Sequence, residues 1–176
     1  KELSKASGVW SMQSQFQAKQ QGTWPEVGFD IDYMVVAGGG GGGNYGAGGG
    51  AGGYRASGYG PSPLQGSSLF VKPGDYTITI GGGGNGGPGT SCGTNGSNSI
   101  FGACRTEGVD MITSTGGGLG STFNRGGGGD GGSGGGGARN SPGSPSFLGP
   151  GGSGNTPPTD PPQGNNGGTG SAPGNG

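Results

Sequence analysis

The side chains in this sequence that best suit molecular recognition are aromatic and hydrogen-bonding residues set among glycines. Tyr45, Tyr54, Arg55, Tyr59 and Phe147 all lie in short breaks between glycine runs. Large aromatic faces beside serine, asparagine and arginine are typical of binding surfaces that combine rigid contacts with adaptable hydrogen bonding. We therefore predict these residues as receptor-binding candidates. The alternative is that they only cap the ends of glycine segments.

Catalytic chemistry is not indicated by the sequence. The chain contains no histidine, which excludes the usual Ser–His and Cys–His nucleophile pairs. Residues 82–87 fit the GxGxxG pattern of dinucleotide-binding loops, but Pro88-Gly89 follows where such a site requires a helix. We therefore predict that the protein is not an enzyme and requires no cofactor.

Metal binding is not predicted either. Asp30 and Asp32 alternate along a strand-like segment, a pattern typical of a solvated face. Cys92 and Cys104 are twelve positions apart, which allows either one disulfide or two free thiols. With no histidine and no CxxC spacing, these cysteines do not make a metal site.

Composition limits the classes of partner. The formal net charge is −1 and the eight Lys and Arg residues are scattered, so we predict no nucleic-acid partner. No apolar stretch approaches the roughly 20 residues of a membrane-spanning helix, so we predict no membrane insertion. Only 24% of the residues are hydrophobic, too few for a conventional core in a chain of 176 residues.

The first 28 residues differ from the rest because they contain both tryptophans. Ser11 is a predicted N-cap for a short helix from Met12 to about Gln20, which Gly22 would end. The large apolar side chains of this segment include Trp10, Phe16 and Trp24. They either form a small core under the first strand or anchor the protein in a larger assembly.

Two regions have the pattern of β-strands. Residues 29–37 alternate between apolar and polar side chains and then become continuously apolar. Residues 68–80 predict a hairpin whose turn contains Pro-Gly. Residues 98–101 predict one more short strand. The first two regions lead directly into the glycine runs Gly38–Gly43 and Gly81–Gly84.

Glycine accounts for 55 of the 176 residues, and its runs lack the Gly-X-Y period of collagen. Composition alone also fits a disordered chain. If the runs are ordered, their backbone groups must be paired, because glycine offers no side chain to bury. We therefore predict that the runs 38–43, 81–84, 126–129 and 134–137 form extended polyglycine II helices packed side by side.

The predicted fold class is mainly β and irregular, with a short N-terminal helix, a few strands, and packed polyglycine II helices with polar loops. We divide the chain into an N-terminal anchoring segment, residues 1–28, and a glycine-rich domain, residues 29–176. The strands of this domain are predicted at about 29–37 and 68–80.

Several stretches together resemble a known family. They are residues 33–43 followed by 48–55, residues 72–84, residues 156–168, and residues 7–11 with Trp24-Pro25. This set is similar to a glycine-rich domain family of tailed-phage virion proteins, comparable in character to distal tail-fibre adhesins. Such domains usually close with an apolar strand after the last glycine run, and none precedes Gly176, so we expect a truncated or only partly identified chain.

The resemblance implies a phage virion protein, most simply a tail-fibre or tail-tip adhesin that presents loops to host receptors. Its implied partners are other virion proteins, as a homo-oligomer or fibre partner, and a host surface glycan or protein. The implied location is the surface of the extracellular particle. The alternative function is a capsid decoration or a fibre or filament subunit without receptor binding.

Overall fold

The fold consists of short strands, irregular segments and a short helix. The computed structural model describes residues 9–22, 24, 27–44, 47–102, 111–123, 126–139 and 148–171. The elements in these ranges are α1 Met12–Gln20, β1 Phe29–Ile31, β2 Met34–Val36, β3 Tyr54–Ser57, β4 Gln65–Gly66, β5 Leu69–Val71, β6 Thr77–Thr79, β7 Ser99–Gly102 and β8 Ile112–Ser114, with a 3-10 turn at Ser62–Leu64. The predicted mainly-β and irregular class is confirmed.

Helix α1 begins and ends where the sequence predicts. The backbone N–H of Ser14 donates to Ser11 Oγ at 3.2 Å, which satisfies one of the free amides of the first turn. Gly22, at φ 64°, takes the left-handed conformation that commonly follows a helix.

The aromatic side chains around α1 are only partly covered. Trp10 and Trp24 pack edge to face with their centroids 5.7 Å apart, yet 38% and 37% of their surfaces stay accessible. Phe16 is 61% exposed. None of the three belongs to the buried apolar core of the sheets, and a small core formed by these residues stays a prediction. Their role as an anchor to another chain stays a prediction.

The predicted strand over residues 29–37 is divided into β1 and β2. Between them, the N–H of Tyr33 donates to Ser57 Oγ at 3.0 Å, and Ser57 Oγ donates to Asp32 Oδ1 at 3.0 Å. The N–H of Tyr33 is thus paired with a side chain, whereas its carbonyl accepts from the N–H of Ser57 at 2.9 Å. On either side of this junction, β1 pairs with β5 and β2 pairs with β3.

The predicted hairpin over residues 68–80 is wrong, although strands occur in both of its halves. Strand β5 pairs with β1, and strand β6 pairs with β7 in a separate sheet of order β6-β7-β8. The hydroxyl of Tyr76 donates to the carbonyl of Lys72 at 2.8 Å and accepts from its N–H at 2.9 Å. The tyrosine thereby occupies backbone groups that a hairpin ladder would use.

A small apolar core joins the three sheets. Leu69, Val71 and Ile112 are its buried members. Half-buried side chains pack around them: Ile31, Tyr33, Val35, Tyr76 and Phe101. The rings of Tyr76 and Phe101 are stacked with centroids 5.4 Å apart. Most of the described chain lies outside this core and requires another source of stability.

That source is an array of extended glycine-rich segments, numbered here in chain order. They are PG1 (37–44), PG2 (47–53), PG3 (81–88), PG4 (91–98), PG5 (115–122), PG6 (127–132), PG7 (133–138), PG8 (148–155) and PG9 (163–171). Backbone hydrogen bonds connect neighbouring segments throughout this polyglycine array. Gly126 of the predicted run 126–129 does not share the extended conformation of PG6, because its φ is 92°.

The hydrogen bonds of PG1 repeat every third residue. The amides of residues 37, 40 and 43 donate to PG2, and those of residues 38, 41 and 44 donate to PG4. The carbonyls of residues 39 and 42 accept from PG3. Three residues per turn is the period of a polyglycine II helix. The predicted side-by-side packing of extended glycine helices is confirmed by this pattern.

PG5 lies at the centre of the array, and its backbone is fully paired from residue 115 to residue 121. The amides donate over 2.7–3.1 Å, in order, to Gln163 Oε1, Asn98 Oδ1, Gly38 O, Ser133 O, Asn95 Oδ1, Gly41 O and Gly136 O. The carbonyls accept over the same range from the amides of residues 53, 132, 96, 50, 129, 93 and 47. Successive backbone groups of PG5 therefore bond to different segments that surround it.

This packing leaves no room for side chains at most of the internal positions. A Cβ added at Gly117 would overlap the carbonyl oxygen of Gly50, whereas a Cβ at Gly48 would meet no atom within 4 Å. Gly48 is exposed and lies on PG2. A substitution at Gly117 therefore tests whether the backbones must approach closely. A substitution at Gly48 changes only the conformational freedom of the chain.

We expect Gly117→Ala to destabilise the fold by at least about 1–3 kcal/mol, the usual cost of overpacking. The matched control Gly48→Ala should be neutral or stabilising by about 0.4–1 kcal/mol, because alanine restricts the unfolded chain. Chemical denaturation followed by circular dichroism measures both changes. Equal stability of the two variants would contradict the close-packed array.

Candidate binding groove

An open groove of about 630 Å³ lies beside the core. This volume is within the range of typical ligand sites, roughly 300–1,000 Å³. Its lining combines polar groups with a few apolar side chains: Tyr33, Arg55, Pro63, Gln65, Gly66, Ser67, Ser68, Leu69, Met111, Ile112, Asp160 and Pro161. The groove thus offers hydrogen-bonding groups above a floor that includes the buried Leu69 and Ile112.

Strands β3 and β4 hold one wall of the groove. Arg55 on β3 is opposite Val35 of β2, and the next residue, Ala56, is opposite Gln65 of β4 in a parallel pair. Gln65 Nε2 donates to the carbonyl of Gly60 at 2.5 Å, which ties this wall to the preceding turn. The ladder bonds fix the backbone from which the Arg55 side chain extends.

Arg55 is half-buried, and its guanidinium has no hydrogen-bonding or ionic partner among the residues that the structure describes. Elsewhere in the described ranges, every buried side-chain nitrogen and oxygen atom has a hydrogen-bond partner. A guanidinium presents five N–H donors in a planar fork that matches carboxylates and vicinal oxygens. Arg55 therefore provides the groove with a cationic donor group that the described chain does not use.

Other polar groups of the groove are equally free within the described residues. The hydroxyls of Tyr33, Ser67 and Ser68 and the carboxylate of Asp160 make no hydrogen bond there. Hydroxyls both donate and accept, and a carboxylate accepts. Together with Arg55, they offer the mixed donor and acceptor set that a polyhydroxylated ligand requires.

Gln163 supports the part of the groove lining formed by Asp160 and Pro161. Only 2% of its surface is exposed, and its Oε1 accepts from the N–H of Thr115 at 2.8 Å. Its Nε2 donates to the carbonyl of Pro157 at 3.0 Å. This single side chain connects the start of PG5 to the loop that contains Asp160, so the groove and the polyglycine array share a support.

Asn155 forms hydrogen bonds within the same loop. Its φ is 51°, and its Oδ1 accepts from the N–H of Thr159 at 3.0 Å and from the N–H of Gln163 at 3.2 Å. The peptide bonds Thr156–Pro157 and Asp160–Pro161 are cis. This wall was not predicted from the sequence. The available signal was the pair of Pro-Pro steps flanked by Asn and Gln.

The structure places the sequence-predicted binding residues in different environments. Of the candidates in the described ranges, Arg55 lines the groove, whereas Tyr54 and Tyr59 do not. Tyr54 was predicted in a loop but lies half-buried on β3 opposite Val36. Tyr59 is 78% exposed in a turn. Tyr45 and Phe147 lie outside the described residues.

The strand location of Tyr54 and Arg55 was missed for a physical reason. Strand β3 has the sequence Tyr-Arg-Ala-Ser, whose small and polar residues do not alternate clearly. Strand β3 forms because it pairs with β2 and because the buried Ser57 makes side-chain hydrogen bonds. Neither contact can be recognised from the neighbouring sequence. The same holds for β8, which was not predicted.

Other candidate chemistry is limited in the described residues. Cys92 is a half-buried free thiol, and Cys104 lies outside the described ranges. No group of three or more His, Cys, Asp or Glu side chains comes together there in a way that could hold a metal ion. Among the described helices, none has the length and apolar character to cross a membrane.

Comparison with known proteins gave one match. A family model described as Glycine-rich domain matches residues 17–176. Neither the curated proteins nor the solved structures contain a significant match to this chain.

We expect Gln163→Leu to lower the free energy of unfolding by about 1–3 kcal/mol, because the buried N–H of Thr115 would lose its acceptor. Urea denaturation measures this change. Gln13→Leu, on the exposed surface of α1, is the matched control and should change stability little. A Gln163→Leu protein as stable as the control would show that the amide does not support the groove wall.

Proposed function

The chain belongs to the Glycine-rich domain family, and we propose that this member is a virion protein of a tailed phage that acts as a tail-fibre or tail-tip adhesin. In this proposal the polyglycine array is a rigid support, and the groove beside it binds a receptor on the host surface. The protein acts on the outside of the particle and catalyses no reaction.

The observation that carries the proposal is the Arg55 guanidinium in the groove. Glycine segments present no side-chain chemistry, so recognition has to come from the residues around them. A half-buried cation without a partner in the described chain, beside free hydroxyls and the Asp160 carboxylate, suits a ligand rich in hydroxyl groups. A host surface glycan has this chemistry.

The aromatic residues around α1 support a second contact, with another virion protein. Trp10 and Trp24 form an exposed pair, and Phe16 is exposed on the helix. Exposed clusters of large apolar side chains mark interaction sites. We propose that this N-terminal cluster anchors the adhesin to its fibre.

The rival function is a capsid decoration or filament subunit that binds no receptor. The observation in its favour is the bare outer surface of the array, where glycines such as Gly82 and Gly83 are exposed. In that case the groove would carry no binding function, and the outer surface would contact other subunits.

Particles carrying Arg55→Ala are expected to adsorb to host cells at least about tenfold more weakly, since a charged hydrogen bond contributes about 1.5–3 kcal/mol. Lys19→Ala removes the same charge from exposed α1 and is the matched control. Adsorption assays with equal particle numbers measure the effect. Normal adsorption by Arg55→Ala particles that are fragile or poorly assembled would favour the structural rival.

The double variant Trp10→Ala, Trp24→Ala is expected to be lost from particles while the isolated protein unfolds at nearly the same temperature. Neither side chain belongs to the buried apolar core, so we expect the loss of stability to come mainly from their mutual contact, about 0.5–1.5 kcal/mol. Quantitative immunoblots of purified particles measure incorporation. Met12→Ala, an exposed apolar truncation on the same helix, should be incorporated normally. Normal incorporation of the double variant would contradict the anchor.

A further inference from the structure

The two outermost segments of the polyglycine array lie at opposite ends of its hydrogen-bond network. Within the array, the backbone of PG3 bonds to the backbones of PG1 and PG4, whereas that of PG9 bonds to those of PG7 and PG8. No backbone bond between described residues joins PG3 to PG9. Each of these two segments therefore has one side that is hydrogen-bonded to the array and one side that faces outward.

PG3 presents a row of outward N–H donors. The carbonyl of Gly82 accepts from the amide of Ser97 at 2.9 Å, and the carbonyl of Asn85 accepts from the amide of Thr94 at 2.9 Å. In a trans peptide the C=O and the following N–H point in opposite directions. The N–H groups of Gly83 and Gly86 therefore point away from PG4, and neither has an acceptor among the described residues.

PG9 presents a row of outward carbonyl acceptors by the same argument. The amides of Gly167 and Gly170 donate to PG8 over 2.8 Å and 3.0 Å. The carbonyls of the preceding residues, Asn166 and Thr169, therefore point away from PG8. No described residue donates to either carbonyl. The donor row and the acceptor row have the same spacing of three residues.

Neither outward surface carries a charged residue. A Cβ at Gly82 of PG3 or at Gly168 of PG9 would meet no atom within 4 Å, so the single chain has space for a side chain at either position. The sequence has no charged residue over 76–101 or over 161–176. Open edges are commonly protected from association by charged side chains, and these two edges have none.

We propose that PG3 of one copy docks against PG9 of a second copy, with Gly83 and Gly86 donating to the carbonyls of the partner's Asn166 and the partner's Thr169. The partial positive charge of the donor row then meets the partial negative charge of the acceptor row. Segments inside the array pair in this one-directional way, since PG1 donates to PG2 without accepting from it.

The contact is head-to-tail. The donor row of PG3 cannot pair with the same donor row of a second copy, so the proposed contact is not related by a two-fold axis. Unlike surfaces meet, and such heterologous contacts generate rings or open filaments. This inference specifies the partner as a second copy of the chain and is independent of receptor binding in the groove.

The test uses three lysine variants and analytical ultracentrifugation. The wild-type protein should associate with rising concentration. Gly82→Lys and Gly168→Lys should each weaken association at least about tenfold, because each obstructs one edge while leaving the fold intact. Gly48→Lys has the same open environment on PG2 and should associate like the wild type.

Mixing the two edge variants distinguishes the proposed contact from others. Each variant retains one intact edge, so an equimolar mixture should form dimers and no larger species. A wild-type protein that remains monomeric at millimolar concentration overturns the proposal, as does wild-type-like association of Gly82→Lys. Absence of dimers in the mixture overturns the pairing of PG3 with PG9. None of these outcomes depends on adsorption to cells.

A proline variant tests the donor row itself. The double variant Gly83→Pro, Gly86→Pro removes both outward N–H groups, and the fixed φ of proline suits an extended threefold segment. A Cβ at either glycine has only ordinary contacts, at 3.7 Å from the nearest oxygen. We expect unchanged thermal stability with association weakened at least about tenfold. Unchanged association would overturn the role of these amides.

Discussion

The structure depends on the need to pair every buried backbone N–H and C=O in segments that have no side chains to bury. A glycine loses more conformational entropy on folding than any other residue, and it recovers no burial energy from a side chain. In PG5 this cost is opposed by hydrogen bonds from each amide and each carbonyl over residues 115–121. An unpaired group at the centre would carry the full penalty of desolvation. The arrangement of neighbours around PG5 follows from this requirement.

Side-chain amides complete the pairing where no backbone group is in reach. Asn95 and Asn98 are three residues apart on PG4, so they lie on the same face of a threefold segment and reach Leu119 and Gly116 of PG5. Gln163 plays the same part for Thr115. Because Gln163 also holds the loop of the groove, the array and the candidate site are mechanically connected through one residue.

Local signals in the sequence were sufficient for the elements that local chemistry controls. Ser11 and Gly22 delimit α1, and the glycine runs predict an array paired through backbone groups. The hairpin over residues 68–80 was wrong because Tyr76 captures the backbone of Lys72, a contact that a turn pattern does not reveal. The groove could not be predicted, since Arg55 and Asp160 meet there only through pairings across the whole domain.

A fold held by backbone hydrogen bonds has an unusual relation to temperature. Unfolding of a conventional domain raises the heat capacity because apolar surface becomes hydrated, whereas exposure of peptide groups lowers it. Here the buried core is small and the central segments are almost pure peptide backbone. We therefore expect a small heat-capacity change on unfolding for a chain of this length, and a flat curve of stability against temperature. Cooling, which weakens the burial of apolar groups, removes little from such a protein.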